Sequence, residues 1–207
     1  MKHLITSVLF IAFGMLSAQS NFKKGMEKAF ELLQSDKPDE AINLFERIAN
    51  AEKDNWLPHY YIAQINSMKS WNVKEETQLK AQLDKAQEHL NTAMALSKNN
   101  PELMVMQGQI YTNWIAFDGR TYGMKYSAKV SELYNNAYKL APKNPRVVIC
   151  KADWAMGSAR YFGQDPKPYC KELESSLALF DAFEAESKYH PNWGKNRAKE
   201  ALKPCKL

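Results

Sequence analysis

Prolines recur down the chain at nearly constant intervals, each between one apolar-periodic stretch and the next: Asn55-Trp56-Leu57-Pro58, Asn99-Asn100-Pro101, Lys143-Asn144-Pro145 and Tyr189-His190-Pro191. Proline inside a helix removes a donor and clashes with the preceding turn, so punctuation at this spacing cuts the chain into units that each start afresh. Units opening at Trp56, Pro101 and Pro145 run 45, 44 and 46 residues, and a shorter one opens at Phe22. Aligned on these starts and on Pro191, the eighth position holds Ala29, Ala63, Gly108, Ala152 and Ala198. Counted back from the next start, on a 34-residue scale, the twentieth position reads Ala41, Ala86, Val130 and Ser176. The twenty-fourth reads Phe45, Leu90, Tyr134 and Phe180, and the twenty-seventh Ile48, Ala93, Ala137 and Phe183. Val147-Val148-Ile149-Cys150 has strand propensity, but it stands in register behind Pro145 as a first helix, and tertiary context overrides propensity.

This pattern resembles the tetratricopeptide repeat, a helix-turn-helix unit whose small positions let paired helices approach and whose bulky ones fill the next groove. The resemblance spans nearly the whole chain after the leader, and Lys37-Pro38-Asp39-Glu40-Ala41 supplies the turn of the first unit. The tail, from Tyr161-Phe162-Gly163 to Asn192-Trp193-Gly194-Lys195, is similar to that of exported bacterial tetratricopeptide proteins of undefined role. The implied fold is all-α: a right-handed α-solenoid of four hairpins with extended inter-helix insertions and a C-terminal capping helix. The hairpins are expected at 21–34 with 38–52, 56–70 with 77–98, 101–117 with 125–140 and 146–160 with 167–188, and the cap near 192–202.

Before that domain stands a basic head, Met1-Lys2-His3, and an apolar run from Leu4 to Leu16, then Ser17-Ala18-Gln19-Ser20. Short basic, apolar and small-residue regions in that order read as a secretory signal over 1–18, leaving 19–207 as one domain. The expected compartment is periplasmic or extracellular, where disulfides persist. No later run of 18 apolar residues follows, so no membrane span is expected. The net charge of +5 is too small for a nucleic-acid footprint.

Catalytic and cofactor signatures are missing. His59, His89 and His190 form no His-x-x-x-His or Glu-x-x-His spacing, there is no Cys-x-x-Cys, and the eight glycines build no phosphate-binding loop. Methionines such as Met104, Met106, Met124 and Met156 fall singly, as core gap-fillers do, rather than in copper-binding clusters. No enzyme activity, metal or cofactor is therefore expected.

Each longer unit carries an insertion: Trp71 to Glu76, Phe117 to Gly123 and Arg160 to Pro166. Stacking would line them along one edge as an aromatic ridge, unless the aromatics pack between lengthened helices. Path lengths along the last hairpin bring Cys170 and Cys205 to one height, about 30 Å from the turn, so these two are expected to pair and Cys150 to stay reduced. The repeat resemblance further implies a concave groove lined by first helices. In this register that groove offers Tyr60, Gln64 and Ser67, then Gln109, Thr112 and Asn113, then Arg146, Asp153 and Met156. Amides and hydroxyls suit a protein, extended peptide or glycan better than an anionic terminus, and the carboxylate clamp of chaperone-binding relatives is replaced by Met26 and Phe30. The expected function is an exported, non-enzymatic binding scaffold. A small-molecule carrier or enzyme using the aromatic loops, and a stabilising subunit of an envelope complex, stay open as alternatives.

Overall fold

The computed structural model describes residues 21–206; the leader expected over 1–18 lies outside them. Among the described residues the chain is helical, with no strand. In order come α1 (21–34), α2 (Pro38–Ala51), α3 (Trp56–Lys69), α4 (Glu76–Leu96), α5 (Pro101–Phe117), α6 (Gly119–Leu140), α7 (Pro145–Tyr161), α8 (Cys170–Ala182) and α9 (Lys195–Ala201). The Asn-Pro punctuation acts as capping chemistry. Asn100 accepts from Glu102 N at 2.9 Å and Asn144 from Arg146 N at 3.0 Å, each followed by proline at the first helical position, where no N–H is needed. Asn55 caps α3 in the same way through Leu57 N.

Successive helices pack on one another from α2 to α9, and the first helices α3, α5 and α7 also pack in sequence, so their matching faces stand side by side. The repeating small positions are what permits this. Ala29, Ala63, Ala152, Ala198, Ala41, Ala86, Val130 and Ser176 are all fully buried. At Gly108 a Cβ would fall 2.4 Å from the Tyr134 ring, so only glycine admits that ring. One apolar cluster joins α1 to α5 around Phe45, Tyr60, Tyr61 and Leu83, and a second joins α5 to α9 around Val130, Tyr134, Ile149 and Leu173.

Three expectations are corrected. The second insertion is not a loop: Asp118 accepts from Arg120 N and Thr121 N, and this cap starts α6 at Gly119 rather than near 125. The second helix of the last pair ends at Ala182, not 188. Phe183 turns its ring over the Arg146 guanidinium, 4.7 Å away, and residues 183–194 run on as a strap towards α1 and α3. Tyr189 is buried there, edge-on to Phe22 and stacked on Phe30; its carbonyl accepts from Tyr61 Oη at 2.8 Å, and Lys188 pairs with Glu27. Pro191 thus opens no helix. α9 begins only after Gly194, which offers no capping side chain and whose φ of +114° an L side chain rarely adopts. The tail is tied down by the Cys170–Cys205 disulfide, while Cys150 is buried and free. No helix among the described residues is long and apolar enough to cross a membrane.

Candidate functional site

The inner faces of α3, α5 and α7 form one wall of a half-open cavity of about 490 Å³, whose other side is the end of the strap and α9. Six residues anticipated from the register meet there: Gln64 and Ser67 from α3, Gln109, Thr112 and Asn113 from α5, and Asp153 from α7. Much of their polarity is already committed. Thr112 Oγ1 donates to Gly108 O at 2.8 Å, Gln109 Nε2 points to Cys150 Sγ at 3.8 Å, and Asp153 accepts from Arg197 at 2.6 and 3.1 Å. Asn113 Nδ2 reaches Ser67 O, Ser67 Oγ and Ser70 Oγ at 2.8–2.9 Å, tying α5 to α3.

Tyr60 and Arg146 stand elsewhere, as does Met156, which is buried in the second apolar cluster. Tyr60 is fully buried under the strap and accepts from Trp193 Nε1 at 2.7 Å. Arg146, only 1% exposed, grips Glu102 through Nε and Nη2 at 2.6–2.9 Å, and Asn144 Nδ2 adds a bond to the same carboxylate. The strap covers the face on which the repeat pattern would expose these two side chains.

What the register did not single out is the aromatic half of the cavity. Trp154, Trp193 and Tyr134 line it, with Trp71 and Met68 more than half exposed. The indole N–H of Trp154 donates to Ser131 Oγ at 2.9 Å and that of Trp193 to Tyr60, so both rings are held in place. A Cβ at Gly157, one turn beyond Asp153, would meet nothing, so this stretch of the α7 face is open. The sequence signal for this wall is the Trp193-Gly194 pair of the tail, which lies within the stretch expected as a cap. Burial pushes the Cys150 thiol up to about 11 and also raises the Tyr134 phenol, so both keep their protons at neutral pH.

On α3 and α4, His59 Nδ1 and His89 Nδ1 lie 3.0 Å apart, a pairing that local spacing motifs cannot reveal because it spans a hairpin. Among the described residues no three His, Cys, Asp or Glu side chains converge as a metal cluster. Of the expected ridge, Trp71, Tyr161 and Phe162 are exposed, whereas Tyr122 is folded against Trp114 and Tyr126.

The class these features define is an all-helical protein with a small, half-open, aromatic-walled cavity. Among solved structures, the HusA haemophore from Porphyromonas gingivalis has the same fold: TM-score 0.78, over 89% of this chain and 92% of that one, at 21% identity. No protein-family model matches the chain, and no curated protein does.

Proposed function

We propose that this chain is an exported, non-enzymatic binding protein, built as a tetratricopeptide-like stack, that carries a flat and largely apolar small molecule of the porphyrin class. The observation that carries the reading is the cavity. Its volume falls within the about 300–1,000 Å³ of small-molecule sites, and its wall joins fixed indole rings to a few amides. Fixed rings present π-faces without further ordering cost, which suits a planar ligand. An extended peptide or glycan is less well served, because the strap fills the inner face at Tyr60 and beside Arg146. The likeness to a haemophore supports the same ligand class, and the leader-like first residues with the Cys170–Cys205 bond support export.

The lining suits the porphyrin ring better than its iron. No histidine lines the cavity, and Cys150 and Tyr134 are buried, so of the side-chain types that hold haem iron elsewhere only the Met68 thioether is exposed on its wall. Titrating the tag-free protein with haem and with metal-free protoporphyrin tests this. Both should bind one per chain with a shifted absorbance band, and Trp154→Ala or Trp193→Ala should weaken both at least about tenfold. Failure of both ligands to bind would reject the reading.

A further inference from the structure

Independently of the cavity, we propose that His59 and His89 together bind one divalent late transition-metal ion, with copper(II) the preferred occupant. The two rings come from facing helices of one hairpin, α3 and α4, and their Nδ1 atoms are 3.0 Å apart with ring planes tilted by 35°. Two imidazole nitrogens each about 2.0–2.1 Å from a common ion are 3.0 Å apart when the angle at the ion is roughly 90–95°. That is the angle between neighbouring positions of a tetragonal site, the geometry of copper(II) and nickel(II), and copper(II) heads the affinity order.

The ring centroids are 5.2 Å apart, so the two nitrogens face one another almost head on. A turn of each ring by about 45° about its broad second torsion aims both lone pairs at one ion between and to the side of them. Both rings are half-buried, which leaves a path from solvent. The remaining positions go to water. Glu46 on α2 and Glu88 on α4 are exposed, line the adjoining 340 Å³ hollow with His89, and act electrostatically on its ring.

Copper(II) titrated into the tag-free protein, followed by calorimetry and electron paramagnetic resonance, tests the site. The expected result is one ion per chain with hyperfine structure from two imidazole nitrogens. His59→Gln and His89→Gln should each weaken binding at least about tenfold, and His190→Ala should leave it unchanged. Far-ultraviolet circular dichroism and thermal unfolding of each variant without metal separate loss of the site from loss of the hairpin. His59→Ala and His89→Ala serve as second variants if either glutamine fails to fold. No stoichiometric binding, or binding that survives either substitution in a folded variant, overturns the proposal and leaves an N–H···N hydrogen bond between the rings.

Discussion

Residues that set distances between backbones were readable from the sequence, because a small side chain at a fixed interval has few explanations other than close approach. Gly108 is the sharpest instance: with the Tyr134 ring where its Cβ would be, Gly108→Ala should destabilise by about 1–3 kcal/mol in urea unfolding. Tyr134→Leu in the same chain should recover part of that loss. Polar residues were harder to place, since a hydrophilic side chain on an inner face reads alike whether it meets solvent, ligand or a partner in the core. Arg146 occupies a groove position by register, yet it is buried against Glu102 and Asn144. Arg146→Met would leave that carboxylate buried and unpaired, at a cost of about 3–5 kcal/mol, and should show as a lower unfolding midpoint. Asn113→Ala, which strips Ser67 and Ser70 of a shared donor, should likewise lower stability by about 1–3 kcal/mol, so it is not a clean probe of ligand capture.

Helix starts were legible to within a residue or two where Asn or Pro stands at the boundary, as at Trp56, Pro101 and Pro145. The end of α8 was not. Apolar periodicity continues through Phe183, but the contact of its ring with Arg146 lies 37 residues away along the chain and outweighs the local pattern. The strap is fastened mainly by Tyr189. Tyr189→Ala should lower stability by about 3 kcal/mol or more, whereas Lys188→Ala, which removes an exposed ion pair with Glu27 and a cation over the Tyr189 ring, should cost about 1 kcal/mol or less. The His59–His89 pair gives the α3–α4 hairpin a pH dependence. Burial, with the facing ring adding to it at His59, lowers both folded-state pKa values below the unfolded 6.5; Glu46 and Glu88 oppose this at His89. Below about pH 6.5 the unfolded chain therefore binds more protons than the folded one, and stability falls as pH falls. Thermal unfolding between pH 7.5 and 5.5, with chelator present, should show that loss, and a His59→Gln, His89→Gln double variant should flatten it.

For the whole molecule, the class of fold and the covalent closure of the tail could both be argued from the chain, but the shape of the site could not. The cavity depends on where the strap and α9 come to rest, and no local pattern carries that information. The Cys170–Cys205 bond closes a loop with a sequence separation of 35, worth about 3–4 kcal/mol of chain entropy. Alkylation of the unfolded, unreduced protein should label Cys150 alone, and reduction should expose all three thiols and loosen the side of the cavity formed by Trp193, Gly194 and Arg197. The central claim is that a planar ligand lies between the indoles of that cavity, and ring-current shifts report this directly. Of the five tryptophans, Trp71, Trp154 and Trp193 line the cavity while Trp56 and Trp114 do not. In a nitrogen-15 spectrum of the protein titrated with metal-free protoporphyrin, the indole N–H signals of those three should move together and saturate at one ligand per chain, with the other two nearly still. Shifts confined to Trp56 and Trp114, or none at all, would contradict the account.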